Sequence, residues 1–462
     1  MSGKAMLINA LREVLAADEI LIGGDISEKY HQDWSGEEGG EIGVLVLPRH
    51  TEAISQILRI CHEHNCPVVP QGGLTGLAGG ATPINGCVAI SMERMNGVIE
   101  LDAVSGTMTV WAGTPLQVIQ ESAEEAGFFF ALDLGARGSC QIGGNIATNA
   151  GGNRVIRYGM ARDLVLGLEV VLADGTILSM LNKMVKNNAG PDLKQVFIGA
   201  EGTLGVITKA VVKLHPQVNG ANTALLALEN FSGVEQLLMY AQQQLSGQVS
   251  AFEVMWQSYY KEAVEDGGMR APLSTEYPIY VLMDQQSANP QLQAEQFQAV
   301  LEYALEQGWV VDAAVAQTHA DADAFWELRD AIAELLKAYT PTLNFDISFP
   351  ISSIGRCVDT LKDIMGSKFK GLRAMFFGHV GDGNIHVVVG PLPDQATALA
   401  IEAAFYEVVR DNQGSVSAEH GIGLHKKPWL SHSRSAAELQ TLKLMKQALD
   451  PRNIMNPGKI QD

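Results

Sequence analysis

Two spacings of hydrophobic residues alternate along the first half of the chain, and they predict short strands joined by helices. The apolar run 44–47 reads as a strand, and 66–70 reads as another. Between them, apolar residues recur at helical spacing after Thr51, which we expect to cap the helix; they are Ile54, Ile57, Leu58 and Cys61. Further short apolar runs continue to Pro216. This order is typical of α/β structure.

Beyond Pro216 the pattern changes to longer amphipathic helices separated by strands, which predicts an α+β domain with an antiparallel sheet. The predicted helices are 233–245, 290–306, 321–338 and 436–449. We place a boundary near 216–222. The chain is therefore divided into residues 1–218, with two α/β subdomains, 219–424, and a C-terminal segment 425–462.

Composition narrows the range of functions. Apolar residues make up 47% of the 462 residues, so packed domains are expected. The formal net charge of −20 excludes a nucleic-acid binder, which would normally be basic. No apolar run is long enough for a transmembrane segment. Five scattered cysteines without a C-x-x-C pair fit a reducing compartment, and together with the absence of a signal peptide they lead us to expect a cytoplasmic protein.

Glycine is concentrated in one part of the chain: 23 of the 47 glycines lie between Gly72 and Gly205. The first cluster, 72–80, holds five glycines directly after an apolar strand and can wrap a pyrophosphate with its backbone N–H groups. The alternative is a tight surface turn. Neither G-x-G-x-x-G nor a P-loop sequence is present, so a nicotinamide cofactor or ATP is not indicated.

Two further segments, 132–152 and 199–208, combine small residues with amide and hydroxyl side chains and carry almost no charge. That composition suits a large, flat, partly polar ligand held by hydrogen bonds.

Two histidines flank a predicted hairpin. Asp382-Gly383 is a strong turn signal between two apolar runs, and a two-residue turn there places His379 directly opposite His386. Two imidazoles so placed can both donate to one metal ion. A simple packing or hydrogen-bonded pair is equally compatible with the pattern.

The pair Glu419-His420 precedes a glycine-rich turn. Glu419 would complete a His₂Glu set, which is the composition of open catalytic zinc sites, and His420 would then be free to act as a base. For an isolated Glu-His pair, a solvated loop is the alternative.

The three glycine-rich segments, in this order, resemble the FAD-binding domain of the vanillyl-alcohol oxidase/p-cresol methylhydroxylase superfamily. The branch they resemble is that of the D-lactate and D-2-hydroxyglutarate dehydrogenases. The resemblance implies that 1–218 binds FAD, that 219–424 is the substrate or cap domain with the metal site, and that 425–462 returns to the FAD domain. FAD is expected to be non-covalent, because the linking His or Cys is missing from 72–80. The implied cofactor-binding residues are Pro70, Gly72, Gly73, Leu74, Thr75, Gly76, Leu77, Ser139, Gly143, Gly144, Asn145, Thr148, Asn149, Glu201, Ile207 and Asn456.

In the resembling dehydrogenases, His379, His386 and Glu419 match the ligands of zinc, for which manganese is an alternative. His420 matches the base that removes the hydroxyl proton while hydride passes to flavin N5. Arg329 matches a substrate-carboxylate arginine, although a surface ion pair is equally compatible with its sequence context. Asn384 matches a substrate contact, with a plain turn residue as the alternative.

Two departures from the family pattern concern the substrate. Asn344 stands where 2-hydroxyglutarate enzymes tend to carry Lys, and Ala333 stands where they tend to carry Thr or Ser. Both changes favour a shorter acid such as D-lactate. The resemblance also implies an electron-transfer flavoprotein or a quinone as acceptor, and a homodimer is one expectation. The alternatives are a non-catalytic FAD-binding, electron-relay subunit and a metal-free flavoenzyme.

Overall fold

The computed structural model describes residues 3–461, so Met1, Ser2 and Asp462, which end the predicted first and last segments, lie outside the described residues. Its strands are β1 (Ile20–Leu21), β2 (Val44–Val46), β3 (Val68–Gln71), β4 (Val88–Ser91), β5 (Val98–Asp102), β6 (Thr107–Trp111), β7 (Phe128–Phe129), β8 (Val165–Val171), β9 (Ile177–Met180), β10 (Val206–Lys213), β11 (His215–Pro216), β12 (Gly220–Leu228), β13 (Val249–Trp256), β14 (Ile279–Ser287), β15 (Asp312–Val315), β16 (Leu343–Ser348), β17 (Arg373–Gly378) and β18 (Asn384–Gly390).

The α-helices are α1 (Gly3–Val14), α2 (Thr51–Glu63), α3 (Leu116–Glu125), α4 (Ile142–Ala147), α5 (Val155–Tyr158), α6 (Ala161–Leu164), α7 (Phe231–Gln244), α8 (Gln257–Glu265), α9 (Pro290–Glu306), α10 (His319–Arg329), α11 (Ile332–Tyr339), α12 (Ile354–Lys368), α13 (Gln395–Asp411) and α14 (Ala436–Leu449). The predicted helix 321–338 is in fact two helices, α10 and α11, which break at Asp330-Ala331. Among the described residues, no helix combines the length and the apolar character required to cross a bilayer.

The chain forms two compact units. Unit 1 contains Met1–Gly151, Gly159–Gln217 and Glu419–Asp462, and unit 2 contains Gly152–Tyr158 and Val218–Ala418. The sequence placed the ends of the middle domain at 219 and 424, whereas the structure divides the chain after Gln217 and after Ala418. It also assigns the short stretch 152–158 to unit 2.

Unit 1 is built on two sheets. The order of the first sheet is β1-β2-β4-β3, with β2, β4 and β3 parallel and buried, as expected for short apolar strands joined by a helical crossover. The open edge of β3 is covered by the returning C-terminal segment, because Val68 donates to the carbonyl of Ile454 and accepts from the N–H of Asn456. The second sheet, β5-β6-β10-β8-β9, is antiparallel.

Unit 2 is built on a seven-stranded antiparallel sheet of order β15-β12-β14-β13-β17-β18-β16. Strands β13 and β14 are buried along their whole length, because they lie in the middle of the sheet. Helices α8, α10 and α11 pack a cluster of aromatic and aliphatic side chains against the sheet, with Tyr259, Leu328 and Phe377 among its members. The predicted fold class, α+β with an antiparallel cap sheet, is confirmed.

Candidate functional site

In unit 1 the first glycine-rich loop packs directly on the second segment. A Cβ on Gly73 would lie 2.0 Å from the carbonyl oxygen of Ser139, and one on Gly72 would lie 3.7 Å from Cα of Gly144. The backbones therefore approach more closely than any side chain at 73 would allow. This close approach explains the density of glycine that the sequence shows.

The third segment and the C-terminal asparagine join the same loops. Glu201 donates its N–H to the carbonyl of Ala147 at 2.8 Å. Asn456 donates its side-chain Nδ2 to the carbonyls of Gly80 (2.9 Å) and Glu201 (2.7 Å). Four non-glycine residues of these loops have left-handed backbones, namely Leu74 (φ 58°), Asn149 (φ 51°), Glu201 (φ 48°) and Asn456 (φ 40°). Such conformations often occur where a backbone is shaped for a ligand.

The remaining predicted cofactor residues lie on these same elements: Pro70 on β3, Thr75, Gly76 and Leu77 in the first loop, Gly143 and Asn145 on α4, Thr148 at its C-cap, and Ile207 on β10. Two of the predicted cofactor residues, Thr148 and Asn149, form side-chain hydrogen bonds with nearby backbone groups. The hydroxyl of Thr148 donates to the carbonyl of Gly144, and the Asn149 amide oxygen accepts from the N–H of Arg162.

Buried amide groups in unit 1 fit a flavin. Three side-chain amide oxygens have no hydrogen-bond partner among the described residues, namely those of Gln141, Asn145 and Asn456. Each of these residues is less than a tenth exposed, so water does not supply the missing partner freely. A Cβ on Gly144, which directly precedes Asn145, would meet nothing within 4 Å, so open space lies beside this glycine. A flavin offers N–H and C=O groups along its edge, and unpaired buried acceptors need such partners. Gln141 was not among the predicted cofactor residues, although it lies in segment 132–152, which carries almost no charge.

Glu201 holds the turn that follows the predicted metal ligand and base. Its carboxylate accepts the backbone N–H groups of Ile422 (2.7 Å) and Gly423 (2.8 Å). Burial raises the pKa of this carboxyl group, while the two N–H groups act in the opposite direction. Within unit 1, therefore, the Glu201 side chain fixes the returning segment rather than extending into open space.

In unit 2 the predicted register of the histidine hairpin is wrong. His386 pairs with Phe377 on β17, two positions before His379. Residues 380–382 form a 3₁₀ turn closed by Gly383 at φ 94°, so the connection is longer than two residues. The imidazole rings of His379 and His386 nevertheless lie 5.3 Å apart between centroids, at an interplanar angle of 86°.

Asp346, which the sequence did not single out, lies directly opposite His386 on β16. It is fully buried, and it accepts hydrogen bonds from Asn384 Nδ2 (3.2 Å) and Ser417 Oγ (3.3 Å). The side-chain oxygen of Asn384 is also buried and has no partner among residues 3–461. It is therefore an available acceptor beside His386.

Arg329 is 5% exposed, so the surface alternative is wrong. Its Nε lies 2.9 Å from Oε2 of Glu253, whose Oε1 lies 2.7 Å from Nδ1 of His379. Burial alone would raise the pKa of Glu253, but its contacts with His379 and with the Arg329 guanidinium outweigh burial and hold the pKa at about 2. Glu253 was also missed, although a glutamate inside the apolar run 249–256 signals a buried partner.

Glu419 and His420 begin the last segment of unit 1. A Cβ on Gly151 would lie 2.9 Å from Oε1 of Glu419, so the Glu419 side chain packs against this glycine. The residue before Glu419, Ala418, belongs to unit 2 and donates its N–H to the carbonyl of Asp346. Imidazole and carboxylate donors of this kind suit zinc or manganese.

Comparisons with known proteins show what both parts of the chain are similar to. The family model "FAD binding domain" matches residues 42–180, and "FAD linked oxidases, C-terminal domain" matches 219–460. The chain is 41% identical over 429 residues to a mitochondrial D-2-hydroxyglutarate dehydrogenase of Bos taurus, covering 93% of this chain and 78% of that protein. It is 34% identical to the D-2-hydroxyglutarate dehydrogenase of Stutzerimonas stutzeri (strain A1501), covering 98% of both.

Solved structures show the same fold at low sequence identity. p-Cresol methylhydroxylase superposes with a TM-score of 0.78 at 16% identity, covering 100% of this chain and 97% of that one. The 4-ethylphenol oxidase from Gulosibacter chungangensis gives 0.76 at 18%, covering 100% and 98%. The two family models match residues 42–180 and 219–460, and the two D-2-hydroxyglutarate dehydrogenases align with 93% and 98% of the chain. The chain therefore belongs to the family of FAD-dependent D-2-hydroxy-acid dehydrogenases.

Proposed function

We propose that the protein oxidises a D-2-hydroxy acid to the 2-oxo acid with non-covalent FAD and one divalent ion, zinc or manganese, held by His379, His386 and Glu419. FAD, when bound, supplies a hydride acceptor at N5. A divalent ion at these residues supplies polarisation of the substrate hydroxyl. The observation that carries the proposal is the 5.3 Å separation of the two imidazoles beside buried Asp346.

The protein's own groups supply the proton chemistry and the orientation of the substrate. We assign His420 as the base that takes the hydroxyl proton, since it directly follows the proposed metal ligand Glu419 and an imidazole nitrogen can accept a proton. The unpaired oxygen of Asn384 can accept a hydrogen bond from the substrate. The guanidinium of Arg329 supplies a buried positive charge close to His379, which favours a bound carboxylate.

D-2-Hydroxyglutarate is the first substrate to test, because the curated relatives carry that name. A second candidate, a monocarboxylate such as D-lactate, is favoured by two positions. Asn344 and Ala333 are both exposed and uncharged, where the resembling 2-hydroxyglutarate enzymes tend to carry Lys and Thr or Ser. The ratio of kcat/KM for D-2-hydroxyglutarate and D-lactate distinguishes the two.

The deciding experiment is anaerobic reduction of the yellow holoenzyme by paired D- and L-2-hydroxy acids, with the metal content measured on the same sample. Bleaching by D-isomers in a protein with one equivalent of zinc or manganese is expected. Bleaching by none of the acids would support a non-catalytic electron-relay subunit. Bleaching without a bound metal would support a metal-free flavoenzyme.

Three further expectations stay proposals: an electron-transfer flavoprotein or a quinone as acceptor, a homodimer, and a cytoplasmic location. Steady-state assays with each acceptor and sedimentation of the holoenzyme test the first two.

A further inference from the structure

Glu253 lies between a predicted metal ligand and a buried arginine. It stands on β13, whose next residue, Val254, pairs with Gly378 immediately before His379. Its side chain is 1% exposed, and each carboxylate oxygen has a different partner. Oε1 contacts Nδ1 of His379 at 2.7 Å, and Oε2 contacts Nε of Arg329 at 2.9 Å.

This arrangement selects one form of the imidazole. An ionised carboxylate only accepts hydrogen bonds, so at 2.7 Å Nδ1 of His379 must carry the proton. In the neutral imidazole the other nitrogen, Nε2, then keeps its lone pair, which is the electron pair a metal ion needs.

Arg329 contacts the imidazole of His379 from the face of the ring. Its Nη2 lies 3.4 Å from Nε2 and 3.5 Å from Nδ1 of His379. An atom at nearly equal distances from both ring nitrogens lies over the face of the ring, because in the ring plane it would collide with the carbon between them. The guanidinium therefore stacks on the imidazole and also holds the Glu253 carboxylate through Nε.

We propose that Glu253 is a positioning residue for the metal site: it holds His379 in the Nδ1–H form and in the ring orientation that presents Nε2 to the ion. The inference rests on the proposed metal site. A purely structural ion pair with Arg329 would stabilise unit 2 but would leave metal affinity unchanged.

The first test is the zinc affinity of full-length Glu253→Gln, measured by competition with a chelator on metal-stripped protein. Glutamine can either accept from Nδ1–H or donate to Nδ1, so it no longer selects a tautomer. Loss of such an outer carboxylate weakens metal binding by about 10–100-fold. Asp284→Asn is the matched control: Asp284 is a buried carboxylate on the adjacent strand β14, paired with Arg154 at 2.9 Å. Its zinc affinity is expected to equal that of the wild type.

The second test reads the tautomer directly, without metal. In protein labelled with ¹⁵N-histidine, the ring nitrogens of His379 are assigned by the signals lost in His379→Gln. The wild type is expected to show Nδ1–H, and Glu253→Gln a mixture. If Glu253→Gln fails to fold, Glu253→Gln/Arg329→Met, which removes both buried charges, takes its place.

The outcomes separate the inference from the proposed function. Zinc binding by the wild type with unchanged affinity in Glu253→Gln, or an Nε2–H tautomer in the wild type, overturns the role of Glu253 alone. A wild type that binds neither zinc nor manganese overturns the metal part of the proposed function, and the role of Glu253 with it.

Discussion

At the scale of single residues, Gly423 shows why glycine surrounds the cofactor loops. Its φ is 49°, and a Cβ there would lie 2.0 Å from the carbonyl oxygen of Ala78. The backbone atoms of the first glycine loop and of the turn after His420 are thus in direct contact within unit 1. Any side chain at 423 must push the two segments apart.

We therefore predict that Gly423→Ala lowers the free energy of unfolding by more than the left-handed backbone alone would. Gly86→Ala is the control, because Gly86 has φ 76° but a Cβ there meets nothing within 4 Å. The control is expected to cost about 1–2 kcal/mol. Thermal unfolding midpoints of both variants, with and without added FAD, check the difference; equal midpoints would contradict it.

His420→Gln is predicted to slow flavin reduction by about 10²–10⁴-fold, since it removes the proposed general base. FAD content and metal content should remain those of the wild type, because neither cofactor is assigned to His420. His425→Gln, a variant of a half-exposed histidine paired with Glu37, serves as the control. Stopped-flow reduction by D-2-hydroxyglutarate measures the rates, and a normal rate in His420→Gln would refute the assignment.

Residue types with distinctive sequence surroundings could be predicted, whereas lone buried charges could not. The glycine clusters and the paired histidines could be recognised from their spacing in the sequence. Glu253 and Asp346 each stand alone in an apolar strand, and their partners, His379 and Asn384, lie 126 and 38 positions away. Only the sheet register brings such groups together.

At the scale of elements, the β17–β18 hairpin explains how a wrong register still gave neighbouring histidines. A two-residue turn of the type that Asp-Gly favours needs two left-handed residues, and here only Gly383 is left-handed while Asp382 completes a 3₁₀ turn. The observed register of the hairpin therefore differs from the predicted register by two positions. Because side chains alternate with period two, an even shift keeps both histidines on the same side.

Another element-scale prediction concerns Glu169, which links β8 to α2 and β10. Thr51 donates to its Oε1 at 2.6 Å, and Lys209 lies 3.0 Å away. Burial raises its pKa, but these partners outweigh that effect and leave the pKa below its usual value. Thr51, expected to cap α2, is instead its first residue; the cap is His50.

A lowered pKa in the folded state means that Glu169 stabilises unit 1 above the unfolded-state pKa, about 4.3. That contribution disappears as the pH falls through the folded pKa. The stability difference between wild type and Glu169→Gln should therefore be largest near neutral pH and shrink in acid. Denaturant unfolding between pH 3 and 7 measures it, with exposed Glu306→Gln as control. A difference independent of pH would contradict the prediction.

At the scale of the whole molecule, the chain passes between the two units at four points. The boundary near 216–222 could be predicted, because glycine density and helix length change there. The assignment of 152–158 to unit 2 could not, because it depends on Arg154 pairing with Asp284, 130 residues later. The return of the C-terminal segment was implied only by family resemblance.

Arg154→Met is predicted to destabilise unit 2 by about 3 kcal/mol, because it leaves the buried Asp284 carboxylate without its counter-ion. The double variant Arg154→Met/Asp284→Asn removes the unpaired charge and should recover part of the loss. Denaturant unfolding of the three proteins forms the test. If the single and double variants unfold at the same denaturant concentration, the pair does not hold 152–158 in unit 2.

The C-terminal segment that covers β3 affects the order in which the two units can fold during synthesis. Val68 exchanges backbone hydrogen bonds with Ile454 and Asn456, so strand β3 is completed by residues translated almost four hundred codons later. During synthesis, the nascent FAD-binding unit keeps an unpaired strand edge outside the ribosome until those residues emerge. Unit 2, whose residues 152–158 and 218–418 are translated before the C-terminal segment, can fold first, and we expect flavin to be bound late in biogenesis.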